Sequence, residues 1–122
     1  MPSPLRPLST IEELDAALAA SSTRPVLIFK HSSTCGTSAM AYEEIEPLVA
    51  IARPVADIYM LHIQSARAVS SEVERRLCVR HESPQVLLIQ DGHVVWSATH
   101  FRVTAAAILA AIAAAAAGPV SV

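Results

Sequence analysis

Basic clusters are missing from this sequence. Formal net charge is −2 and no stretch gathers Lys or Arg, so the footprint that phosphate binding needs is absent. Aromatics are scarce as well: two Phe, two Tyr and one Trp leave little to stack on bases. Nucleic acid is therefore not an expected partner. Long apolar runs are also wanting. The most membrane-like stretch, Ala105 to Ala117, is alanine-dominated and about 13 residues long, short of the roughly 20 that a bilayer span takes. It reads as a terminal helix packed by Ile108, Leu109 and Ile112, and no membrane is expected as a partner. The opening residues, Met1-Pro2-Ser3-Pro4-Leu5-Arg6-Pro7, hold three prolines and no apolar core. No secretory signal is read there, and the cytoplasm is the expected location. Metal-ligand spacing is lacking too. His31, His62, His81, His93 and His100 form no H-x-x-x-H pair, and no bound metal is expected. Cysteine occurs only twice, at Cys35 and Cys78, with no C-x-x-C. In a cytosolic chain such cysteines are catalytic, redox-active or simply buried more often than bridged.

What is present is enough for one compact core. The 122 residues are 52% hydrophobic and 16% charged, which is too apolar for disorder and the length of one domain. We read residues 1–122 as a single domain with residues 1–9 as an N-terminal extension. Ser9-Thr10 followed by Ile11-Glu12-Glu13-Leu14 opens a helix running to about Ala20. Pro25 to Lys30 is an apolar run of strand length, suited to a buried central strand. A helix over roughly Ser38 to Ala50 follows, with Pro47 inside it and expected to kink it. Val55 to Leu61 reads as a strand, and Ser70-Ser71 reads as the cap of a helix ending near Leu77 or Cys78. Gln85 to Gln90 and His93 to Trp96 flank Asp91-Gly92, a hairpin signal. Thr104 caps the last helix. Strands that alternate with helices pair in parallel through right-handed crossovers, and the final hairpin is antiparallel. The expected architecture is α/β, a four-stranded mixed sheet flanked by helices on both faces.

Within this frame Thr34-Cys35-Gly36-Thr37-Ser38 stands where the first core strand gives way to a helix. Helix N-terminal N–H groups and the helix dipole favour a thiolate there. Cys35 is thus the candidate nucleophile. The backbone N–H groups of Thr37 and Ser38, with the Ser38 hydroxyl, are candidate donors to it, and Gly36 leaves room for a substrate backbone. With Ser38 in place of a second cysteine, Cys35 cannot close a local disulfide, and an external thiol must regenerate it. Lys30 and His31 stand close enough in sequence to act on the thiolate or to end the strand in solvent. His81 and Glu82 flank a proline loop as substrate contacts or as polar loop residues. Cys78 reads as an inert core thiol, and Trp96 as a half-buried strand residue. A cysteine hydrolase with a distant histidine is a minor option for so short a chain.

The element order, with a cysteine after the first core strand and Ser83-Pro84-Gln85 before the hairpin, resembles the thioredoxin fold. In that fold a cis-proline faces the active cysteine, and the preceding residue's N–H pairs with the substrate backbone. The resemblance implies those roles for Pro84 and Ser83. Phe29-Lys30-His31-Ser32-Ser33-Thr34-Cys35, together with Arg80-His81-Glu82-Ser83-Pro84-Gln85 and Asp91-Gly92, is similar to the monothiol bacilliredoxins (the YtxJ-like family). The resemblance implies removal of bacillithiol from mixed disulfides on cytosolic proteins. Bacillithiol would be the co-substrate, and bacillithiolated proteins and a low-molecular-weight thiol the partners. Cys35 and Ser38 would form the reactive pair, with Thr34, Gly36, Thr37, Ser83 and Pro84 binding substrate. The alternative is a monothiol glutaredoxin-like protein that uses glutathione or carries an iron–sulfur cluster. Its C-G-F-S site resembles Cys35-Gly36-Thr37-Ser38. Thr37 departs from it, and Ser97 to Arg102 lacks the Gly-Gly turn that holds glutathione.

Overall fold

A computed structural model describes residues 5–117. Its centre is a mixed sheet in the order β1-β3-β2-β4-β5. The strands are β1 (Arg6–Pro7), β2 (Val26–His31), β3 (Asp57–His62), β4 (Gln85–Gln90) and β5 (His93–Thr99). β2 pairs in parallel with β3 and antiparallel with β4, so both its edges are covered. That placement matches its apolar run, since a central strand is buried on both faces.

The sheet has five strands rather than four. Arg6–Pro7 adds to the outer edge of β3, opposite Tyr59 and Met60. A two-residue strand containing proline carries no alternation to read, and proline is at home on an edge. Residues 1–4 of the segment read as an extension lie outside the described residues.

The helices are α1 (Ile11–Ala20), α2 (Gly36–Ile45), α3 (Leu48–Ala52), α4 (Arg67–Leu77) and α5 (Ala105–Ala116). Thr10 and Glu13 form a full capping box on α1, each side chain satisfying the other's backbone N–H. Pro47 does more than kink: it separates α2 from the short α3, because its missing N–H and its ring end the hydrogen-bond ladder. α4 starts at Arg67, three residues before the expected cap, and Ser70 is buried inside it. Thr104 caps α5 as expected, accepting from the Ala107 N–H at 3.2 Å. The hairpin turn holds Asp91 at φ 53° and Gly92 at φ 76°, the positive pair that a two-residue loop needs to follow strand twist.

Alternation along β2 sorts the core into two layers. Leu27 and Phe29 pack with Ala41 and Ile45 of α2, Val49 of α3 and Ile108 of α5. Val26 and Ile28 pack with Leu14 of α1 and Val69 and Val73 of α4. Each fully buried side chain of this size contributes about 1.5–3 kcal/mol. The two layers define two sides: Cys35 opens α2 on one, and α4 lies on the other.

Candidate active site

β2 ends at His31, and five residues later the chain has turned into α2. Cys35 is the N-cap, with extended backbone (φ −111°, ψ 119°) and a half-buried side chain. Its own N–H donates to the Ser32 carbonyl at 3.3 Å, and its carbonyl accepts the Ala39 N–H at 3.2 Å. The sulfur therefore stands over the unsatisfied N–H groups of the first turn. The backbone N–H of Ser38, foremost, and that of Thr37 hold the Cys35 thiol below its ordinary range; the two hydroxyls add to this and partial burial opposes it.

Ser38 is fully buried. Its Oγ accepts the Ser32 N–H at 3.2 Å and lies 3.3 Å from Ser83 Oγ. Since the hydroxyl oxygen already accepts from Ser32, its proton is free to point at the Cys35 sulfur or at Ser83. The Ser83–Pro84 peptide bond is cis. Through Ser83 the proline loop meets the first turn of α2. Gly36 is exposed, and a Cβ built there would meet nothing within 4 Å. The space over the helix start is open.

One participant left no mark in the sequence. Gln64, in the short 3-10 turn after β3, donates to Ser32 Oγ at 2.7 Å and Thr34 Oγ1 at 3.3 Å. Its Oε1 accepts the Ser33 N–H at 3.2 Å. One amide thus clamps the loop that carries the cysteine. A lone glutamine 29 positions after Cys35 carries no local signal, because only the parallel pairing of β2 with β3 brings it there.

The flanking residues divide between the two sides. His31 shares Phe29's side and meets the Tyr42 ring of α2 at 5.8 Å and His62 at 5.9 Å. Burial, then the neighbouring His62, push its pKa down. Lys30 points the other way. It is fully buried, and its Nζ lies 2.5 Å from His81 Nδ1. It is neither a solvated strand end nor a thiolate partner. Glu82 reaches His100 at 3.1 Å. Cys78 is corrected outright: it is exposed, not buried. It sits just past α4 at φ 54°, and this left-handed turn directs it outward. Both thiols are free. No histidine bonds to Cys35 among the described residues, and no metal-binding cluster occurs among them.

The family model of the monothiol bacilliredoxin BrxC matches residues 6–108. The chain belongs to that family. Solved structures agree on the fold. This chain is similar to a protein with a thioredoxin fold, at 29% identity and TM-score 0.77, with 88% of this chain and 92% of that one covered. It is similar in fold to a poplar thioredoxin h mutant, at 17% identity and TM-score 0.78 over 97% and 87% of the two chains. Fasciola hepatica thioredoxin superposes at 14% identity and TM-score 0.74 over 90% and 98%. Family and fold together support thiol–disulfide redox function. No helix among the described residues is long and apolar enough to cross a membrane.

Proposed function

We propose that this bacilliredoxin-family protein removes bacillithiol from mixed disulfides on cytosolic proteins, with Cys35 as the attacking sulfur. The observation that carries the reading is the seat of Cys35, half-exposed at the N-cap of α2 with the Ser38 and Thr37 N–H groups lowering its pKa. The Cys35 thiolate attacks the bacillithiol sulfur of the target. A Cys35–bacillithiol disulfide forms, the target's S–S bond breaks, and the target sulfur leaves as a thiolate that takes a proton from solvent. A second, external thiol attacks the adduct and releases Cys35 as the thiolate that the helix start favours. Thr34, Gly36 and Thr37 would line the approach, and Ser83 and Pro84 would face it from the opposing loop. Ser38 stabilises the sulfur without being able to resolve the adduct.

Intact-mass analysis after incubation with bacillithiol disulfide tests this. The expected product is one bacillithiol adduct, retained in Cys78→Ser and absent in Cys35→Ser. Reaction with glutathione disulfide but not bacillithiol disulfide would overturn the assignment and favour the glutaredoxin-like alternative. Equal losses in the two variants would remove the monothiol mechanism.

A further inference from the structure

On the α4 side of the sheet, away from Cys35, a cavity of about 290 Å³ is lined by Ile63, Arg67, Ser70, Ser71, Glu74 and His81. Arg67, Ser70, Ser71 and Glu74 follow one another at helical spacing and so share a face of α4. His81 lines the opposite side; like Arg67, Ser71 and Glu74 it is exposed, while Lys30 is buried behind it in β2. Arg67 makes no ion pair among the described residues.

The donors and acceptors can be assigned. An ammonium only donates, so Lys30 obliges His81 Nδ1 to accept. Burial holds Lys30 near a pKa of about 8, so it is still mainly protonated at neutral pH. Burial and the Lys30 charge keep His81 neutral by lowering its pKa. Its proton therefore sits on Nε2, on the edge of the ring turned from Lys30. Ser70 is buried, and its hydroxyl lies 3.5 Å from His81 Nδ1. Glu74 is occupied: its Oε2 accepts the His81 backbone N–H at 2.8 Å. What remains is an unpaired guanidinium, an imidazole N–H and the Ser71 hydroxyl. Among the lining side chains Arg67 is the cation and Glu74 the carboxylate, while Lys30, Glu74 and Glu82 all act on the His81 ring.

We infer that this cavity binds a single carboxylate group of a small molecule, with Arg67 as the paired cation and His81 Nε2–H and Ser71 as donors. A planar guanidinium matches a carboxylate in two parallel hydrogen bonds. A phosphate dianion is disfavoured, because Glu74 stays in the wall. The carboxylate could be carried by the thiol substrate or by a free metabolite. The cavity borders both elements that frame Cys35: the turn of Gln64 and the loop of Ser83.

Amide chemical-shift titration with lactate, with lactamide as the neutral isostere and inorganic phosphate as the competing anion, tests this. Saturable shifts at Ser70, Ser71 and His81 are expected with lactate alone, with at least tenfold weaker binding in Arg67→Ala and partial retention in Arg67→Lys. No saturable shift at about 100 mM lactate, far above ordinary millimolar affinities, would overturn the inference. So would equal binding by Arg67→Ala, or phosphate binding as tightly as lactate. A second arm identifies the source. If the thiol substrate carries the carboxylate, lactate and Arg67→Ala each slow adduct formation from bacillithiol disulfide severalfold. If it belongs to a free metabolite, the lactate shifts persist and the adduct forms at an unchanged rate. The titration does not use Cys35 chemistry, so failure of the bacillithiol reading would leave it intact, and the reverse.

Discussion

The Cys35 sulfur takes its character from donors that are not side-chain cations. Lys30 points to the far side of the sheet, and His31 is kept neutral by burial. The N–H groups of Ser38 and Thr37, with the hydroxyls of the same two residues, are what lower its pKa. Removing the hydroxyl alone gives a graded test. In Ser38→Ala the backbone donor persists, so the pH midpoint of Cys35 alkylation by iodoacetamide, followed by mass in a Cys78→Ser background, should rise but stay below that of a free thiol. The same change leaves the Ser32 N–H without its acceptor, at a cost of about 1–2 kcal/mol in denaturant unfolding. An unmoved midpoint would mean that the hydroxyl serves Ser83 and Ser32 only. Gly36 separates folding from chemistry in the opposite sense. Since a Cβ there meets nothing in the protein, Gly36→Ala should leave stability within about 0.5 kcal/mol, while slowing exchange with a protein disulfide if a substrate backbone passes over the helix start.

At the scale of elements, legibility followed how local each cause is. The capping box of Thr10 and Glu13, the apolar run of β2 and the Asp91-Gly92 turn are spelled by neighbouring residues, and all three form as read. α4 begins ahead of the Ser70-Ser71 pair that resembles a cap, because its true N-cap, Ala66, offers no capping side chain. Ser70 instead faces the cavity wall. Cys78 continues the apolar spacing of α4 on paper, yet the helix stops at Leu77 and the next residue adopts φ 54° and ψ 41°. β1, the Gln64 clamp and the pairing of Lys30 with His81 depend on contacts 30 to 53 residues apart in sequence, which no local pattern encodes. The end of α4 offers its own test. Left-handed backbone is costly for a residue with a Cβ and natural for glycine. Cys78→Gly should therefore stabilise the protein by about 1 kcal/mol, read as a higher urea midpoint with unchanged slope, and leave exchange at Cys35 intact. A lower midpoint would show that the cysteine side chain contributes more than its backbone strain costs.

Across the whole molecule, β2 and the proline loop tie the two sides of the sheet together. β2 sends His31 toward α2 and Lys30 toward α4, and the loop returns Ser83 to Ser38 and His81 to Lys30. A charged lysine with no exposed surface in the middle strand must leave a mark on global stability. Its Nζ meets His81, and Glu74 is the one acid acting on it. Burial outweighs Glu74 and lowers the Lys30 pKa from 10.5 to about 8. The unfolded chain therefore binds the extra proton between those two values. Stability rises with pH wherever the unfolded state holds more protons, so Lys30 makes the fold more stable as pH climbs from about 8 to 10.5, and its full cost is present, and flat, below that window. His81 adds an acid limb. Its pKa lies below 6.5 through burial and the Lys30 charge, so stability falls as pH drops from 6.5 toward the folded value. Lys30→Met keeps the volume and removes the charge. The difference between wild-type and variant unfolding free energies should slope upward across the alkaline window, which cancels contributions from other titrating groups. The variant's acid limb should also shrink, because His81 no longer faces a cation. Parallel curves in the alkaline window would mean that Lys30 stays fully hydrated in the native state, and the Lys30–His81 contact would have to be abandoned.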